Sequence, residues 1–230
     1  MNTLIKLELK RNKLKPYYIA LAVICAAMTG FLYMIATITK VEHQIEFMNY
    51  ENMLRLHRGV AFIVFTVFSV VIYAKFIIED YSQKRALLLF SYPVSRSKMF
   101  RAKLVLVVGF ITFGFLLSTL FPNALFFLTE SLFPILSGHI TLALVLSQIM
   151  NAAANILAII SVSFIALRIG FIHKSVSTTI VTAIILSAVL GNVLTGLGVN
   201  IYVLIGVILL FAIGLLFAFS TSKQINEMEV

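Results

Sequence analysis

The sequence predicts an all-α, polytopic membrane protein with six transmembrane helices, both termini in the cytoplasm and no soluble domain. Three observations carry that reading. Of 230 residues, 61% are hydrophobic and only 12% charged, with a mean hydropathy of +1.05, whereas a soluble domain of this length needs roughly a quarter of its residues charged to cover its surface. Six apolar runs approach the length of about twenty residues that crosses a bilayer's hydrocarbon. The basic residues gather in alternate loops, as they do on the cytoplasmic side of membrane proteins.

The first run, residues 17–39, is entered after Pro16. It is too long for a cleaved leader, and no small-x-small site leads from it into a polar mature region. The second is 59–78, and the third is 104–121, ending at Pro122. The fourth is 142–167, the fifth 177–197 and the sixth 201–220. Residues 123–140 are also apolar in part, but Glu130, Pro134 and Gly138 interrupt them. They read as an outer interfacial or re-entrant segment, because a seventh span would break the charge alternation.

That alternation sets the orientation. Lys6, Lys10, Arg11, Lys13 and Lys15 precede the first span, and Lys84, Arg85, Arg96, Lys98, Arg101 and Lys103 lie between the second and third. Arg168 and Lys174 separate the fourth from the fifth, and Lys223 follows the sixth. Of the remaining loops, 40–58 balances Lys40, Arg55 and Arg58 against Glu42, Glu46 and Glu51, and the other two hold no base. The net charge of +9 is therefore a topology signal, supplemented by attraction to anionic headgroups. With no soluble basic surface, nucleic acid is not an expected partner. The Lys-, Ile- and Phe-rich, tryptophan-free composition points to a bacterial, low-GC Gram-positive source and a place in the cell membrane.

Ionisable residues inside a bilayer are costly and are functional candidates by default, and on this reading the spans hold almost none. Lys75 lies near the cytoplasmic end of its span and can snorkel to the interface. His43, His57, His139 and His173 fall in loops or at span ends, with no helical ligand pair, and no Asp or Glu is placed inside to relay protons or bind sodium. A single cysteine, Cys25, allows neither an intramolecular disulfide nor a cysteine metal site. No glycine-rich loop with Lys-Ser/Thr occurs, so P-loop nucleotide binding is excluded. These absences argue against an enzyme, an ion-coupled transporter or a metal protein. Any energy-requiring work must draw on another subunit.

Polar groups inside the spans are mostly hydroxyls and amides. Gln148, Asn151 and Asn155 are three and four apart and so share one helix face. Two readings stand side by side: interhelical hydrogen bonds of about 0.6 kcal/mol each, or a polar stripe lining a substrate path or subunit interface. Gly191 and Thr195 form a small-x-x-x-small pair suited to close helix approach, most simply within one subunit.

The loop after the second span opens with Glu79 and Asp80, which suit a helix N-terminus, and Asp80 and Lys84 are spaced for an i, i+4 pair. The apolar block from Ala86 to Phe90 follows, then Ser91-Tyr92-Pro93, where proline disfavours further helix, then Val94-Ser95-Arg96 and Lys103. Two readings fit: a short cytoplasmic lever helix tied to two spans, or an interfacial re-entry that anchors the loop.

Asp80, the Leu87 to Leu89 block, Ser91, Pro93-Val94-Ser95-Arg96 and Lys103 resemble the coupling-helix region of ABC-2 type permeases, the membrane subunits of ATP-binding-cassette exporters. The Gly-Thr common in that family four and five residues after the acid is Lys84-Arg85 here. The segment Leu4-Ile5-Lys6-Leu7-Glu8-Leu9-Lys10-Arg11 resembles the family's N-terminal elbow helix, and the likeness extends over the whole chain. It implies an interfacial elbow at 1–16, a coupling-helix loop at 80–97, and pairing of two permeases, identical or homologous, each on a separate cytoplasmic ATPase. ATP and Mg would be bound by that ATPase, with no cofactor on this chain. Asp80, Arg85, Leu87, Leu88, Phe90, Pro93 and Arg96 would form the ATPase-coupling surface. Leu87, Leu88 and Phe90 would dock, and Arg85 and Arg96 would meet acidic groups or lipid phosphates. The expected substrate is amphipathic or hydrophobic, best a toxin or antimicrobial peptide, handled for export or self-immunity. The competing class is a non-transporting membrane anchor or regulatory subunit that binds an ATPase or a second permease.

Overall fold

A computed structural model of the chain describes residues 15–42, 49–81, 95–133, 141–197 and 200–227. Among these residues the fold is all-helical, with six helices long and apolar enough to cross a membrane. They are α1 (Lys15–Glu42), α2 (Tyr50–Tyr73, continued by a π-helical turn, Ala74–Ile78), α3 (Arg96–Leu132), α4 (Leu142–Ile172), α5 (Val176–Leu197) and α6 (Ile201–Asn226). Residues 1–14 of the elbow segment and residues 82–94, which include Arg85, Leu87, Leu88, Phe90 and Pro93, lie outside the described residues, whereas Lys15 and Pro16, expected in the elbow, open α1.

Local chemistry explains where the helices start. Asn49, Thr141 and Asn200 cap α2, α4 and α6, their side-chain oxygens accepting from the amides of Glu51 (2.9 Å), Leu144 (3.3 Å) and Val203 (3.0 Å). Each satisfies an amide that the first turn would otherwise leave unpaired. Between α4 and α5 the chain reverses with Lys174 in the left-handed region (φ 49°). The Ser175 amide donates to the Gly170 carbonyl at 3.1 Å and the Lys174 amide to Phe171 at 3.3 Å, the pairing that closes a helix C-terminus in a Schellman motif.

Two helices depart from their expected limits. Pro122 does not end the third span: α3 runs 37 residues, through the proline, to Leu132. Residues 123–132, expected as an interfacial or re-entrant piece, are therefore the last turns of α3. A helix interrupted in hydrocarbon would strand backbone groups that lipid cannot satisfy, so a single missing N–H is the smaller cost. The second span begins at Tyr50, nine residues before Gly59, and absorbs much of the expected 40–58 loop. The apolar stripe through Tyr50, Met53, Leu54, Ala61, Phe62 and Phe65, all buried, is what draws that turn into the bundle.

The core lies around α2 and α4. About two thirds of the apolar stretch of each is buried, against 22–39% for the other four. α2 packs against α1, α3, α4 and α5, and α4 against α2, α3, α5 and α6. Phe65 meets Phe115 edge-on at 5.6 Å and Tyr73 meets Phe164 at 6.1 Å, so aromatic pairs fill the α2–α3 and α2–α4 seams. Close approaches use small residues. A Cβ on Gly59 would collide with Thr195, and one on Gly191 would touch Ile63 at 3.4 Å. The Gly191/Thr195 face of α5 thus seats α2 within the same chain. Outward faces of α5 and α6, with Ile185, Val189, Leu209 and Leu216 more than half exposed, are apolar, as lipid contact requires.

Candidate functional site

Polar chemistry concentrates at both ends of the bundle. At the end where α2 and α4 begin, Arg58 is eight residues into α2, about 12 Å along its axis. Centring the helix on roughly 30 Å of hydrocarbon puts that guanidinium just inside the apolar layer. Arg58 is 6% exposed and donates from Nη1 to Oε1 of Gln148 on α4. Among the described residues it has no ion pair: the neighbouring acid, Glu51, accepts from Arg55 at 3.0 Å instead. A buried guanidinium balanced by an amide is an expensive arrangement.

Helices α2, α3 and α4 carry further buried polar groups that are incompletely paired. His57 is fully buried and faces the Met28 backbone of α1, with neither ring nitrogen in hydrogen-bond geometry. Nε2 of Gln148, Oδ1 of Asn151, Oδ1 of Asn123 and Oγ of Ser118 are buried without a hydrogen-bond partner. At the rim, Tyr50 donates to Glu130 at 2.9 Å, and the Tyr33 and Thr129 hydroxyls are 2.7 Å apart. Buried polar groups are ordinarily hydrogen-bonded to protein or to ordered water.

Several expectations are corrected here. Glu130 is buried, so the bundle does hold an internal carboxylate, and Arg58 and Lys103 are internal bases. His57 lies within α2, not in a loop. The shared cause is the longer helices: residues assigned to loops by their polarity are on helix faces that the core covers. Gln148, Asn151 and Asn155 all lie on α4 and differ in what they bond. Gln148 bonds across to α2, whereas Asn155 Nδ2 donates to the Asn151 carbonyl of its own helix at 2.8 Å. Spacing within α4 identified Gln148. Its partner Arg58 could be found only by extending the buried stripe of α2 back past Gly59.

The opposite, base-rich end holds the second constellation. The π turn closes with the Glu79 amide donating to the Ala74 carbonyl at 3.0 Å; such turns often mark functional positions. Lys103, on α3 and 1% exposed, donates to the Phe76 carbonyl at 2.7 Å and forms an ion pair with Asp80. Its ammonium is also 5.5 Å from the centre of the Tyr81 ring, within cation–π range. Lys75 does reach the helix end, pairing with Glu79 at 2.8 Å. Arg96 opens α3 after Ser95. No group of His, Cys, Asp and Glu suited to a metal occurs among the described residues.

Fold and composition together are those of a multi-pass helical membrane protein. Comparison with known proteins adds a relative of the same extent: the chain is 25% identical over 226 residues to the uncharacterized protein YcbO of Bacillus subtilis (strain 168), covering 98% of this chain and 99% of YcbO. No family model matches the chain, and no solved structure does.

Proposed function

We propose that this chain is the membrane-spanning permease subunit of an ABC-2 type exporter. Two such subunits, identical or homologous, pair in the cell membrane, and each rests on a separate cytoplasmic ATPase that binds ATP and Mg. The base-rich end faces the cytoplasm, as the loop charges favour. The substrate is amphipathic or hydrophobic, with a toxin or antimicrobial peptide the leading class, exported or expelled for self-protection.

The reading rests above all on the pairing of Asp80 with Lys103. These are the first and last residues of the segment that resembles the family's coupling region, and they bolt α2 to α3 on either side of residues 82–94. A push on that loop would therefore move both helices together. The buried polar bond between Arg58 of α2 and Gln148 of α4 at the far end supports a path whose polar lining changes partners as helices move.

The competing reading, a non-transporting anchor or regulatory subunit, is favoured by the fact that Gln148 and Asn155 already make bonds within the bundle. Purification of the tagged chain in mild detergent, with mass spectrometry and an ATPase assay, tests the proposal. A co-purifying P-loop ATPase with vanadate-sensitive turnover is expected; a chain without one across several detergents overturns it. Replacing Gln148, Asn151 and Asn155 together then separates the two classes. Lost export with the complex intact indicates a path, and unchanged export an anchor.

A further inference from the structure

A cavity of about 470 Å³ between α4, α5 and α6 is almost wholly apolar and has no charge at its edge. A second, of about 400 Å³, differs in that respect. It opens sideways between α3 and α6 at the base-rich end. Leu104, Val108 and Gly109 form one wall, Leu215 and Phe219 the other, and Phe164 of α4 the floor. The Gly109 position is open, since an added Cβ there would meet nothing within 4 Å. The cleft follows α3 from Arg101 to Gly109, about 12 Å at the helical rise per residue. Its length and apolar lining suit part of an acyl chain.

The mouth supplies the specificity. Arg101 borders the cleft, and its Nε donates to the Ser97 carbonyl at 3.3 Å. Lys98 lies one turn earlier on α3 and is exposed. On α4, Arg168 is one turn beyond the floor residue Phe164 and donates to Gln224 of α6. None of these three cations has an ion pair among the described residues, while Glu79, Asp80 and Glu227 pair with Lys75, Lys103 and Lys223. The described acids at this end are thus engaged elsewhere, and of the cations left over Arg101 lines an apolar cleft while Lys98 and Arg168 lie one helical turn from residues that line it. Basic pockets between transmembrane helices recruit anionic headgroups in this way.

We infer that the α3–α6 cleft is a binding site for an anionic phospholipid, one acyl chain lying along Leu104 to Gly109 and the phosphate held by Arg101 and Lys98. The site is independent of any transport role. It is tested on the full-length chain in detergent by native mass spectrometry and thermal melting during titration with phosphatidylglycerol, phosphatidylcholine or inorganic phosphate. Phosphatidylglycerol should be retained at one per chain and raise Tm, with phosphatidylcholine at least tenfold weaker and phosphate alone without effect. Lys98→Ala with Arg101→Ala should weaken phosphatidylglycerol retention at least tenfold. Gly109→Leu, which grows into open space, should do the same while leaving the lipid-free Tm unchanged. Equal retention of both lipids, protection by phosphate alone, or unaltered retention in both variants would overturn the assignment.

Discussion

The ammonium of Lys103 is completely buried and faces the carboxylate of Asp80, whose side chain is 18% exposed, across the junction of α2 and α3. Burying such a pair gains little net stability, but removing one partner leaves the other uncompensated. Asp80→Asn, which removes the carboxylate that faces the deeper charge and leaves the Phe76 carbonyl and the Tyr81 ring beside it, is expected to destabilise the bundle by about 3 kcal/mol. Lys103→Met should cost less, because the remaining carboxylate keeps some access to solvent. The double variant should recover most of the loss. Unfolding in mixed micelles, read as a double-mutant cycle, checks this order; additive losses would show that the two residues act separately.

The Arg58–Gln148 contact makes the opposite prediction for stability and function. Gln148→Leu removes the acceptor from a buried guanidinium and should cost about 1–3 kcal/mol. Arg58→Met with Gln148→Leu removes both polar partners, and the pair of changes should leave stability at or above the starting value. If the cluster serves transport, the double variant will melt normally and fail to support export. Normal export from a bundle with an apolar seam there would make the contact a packing feature.

Much of this was legible in the sequence, for reasons particular residues make plain. The starts of α4, α5 and α6 fall at or within one residue of the apolar runs, because in these segments polarity and helix boundary coincide at Thr141, Ser175 and Asn200. They part company at α2 and α3. His57 and Arg58 look like loop residues by charge, and Pro122 looks like a stop by its missing amide, yet all three are inside helices. In each case tertiary burial outweighs the local signal: Leu54 and Ala61 draw the Arg58 turn into the core, and the buried Phe126 carries α3 beyond its proline. The Arg58–Gln148 and Asp80–Lys103 pairings depend on which helices become neighbours, and no periodicity along one segment encodes that.

Close packing of α2 on α5 offers a cleaner test of the bundle itself. A methyl on Gly59 would run into the Thr195 side chain, and overpacking of this kind costs about 1–3 kcal/mol. Gly59→Ala should lower Tm, and adding Thr195→Ala should restore it, since the Thr195 Cβ itself would be 3.6 Å from the new methyl. A failure of the second change to rescue the first would mean that α2 and α5 are not apposed at this point.

The coupling proposal makes its sharpest claim about residues 87–90, between the two helices that Asp80 and Lys103 join. If Leu87, Leu88 and Phe90 form the apolar face that enters a groove of the ATPase, replacing all three by Asp removes the driving force for docking and sets three carboxylates against a desolvating surface. Membrane insertion and the Tm of the purified chain should be unchanged, because the spans and the Asp80–Lys103 joint are untouched, while ATPase co-purification should be lost. Asp80→Asn should behave differently, retaining the ATPase but uncoupling its turnover from substrate movement, since the loop can still dock when the joint behind it is weakened. Normal co-purification by the triple variant would remove the docking assignment even if the chain proves to have an ATPase partner.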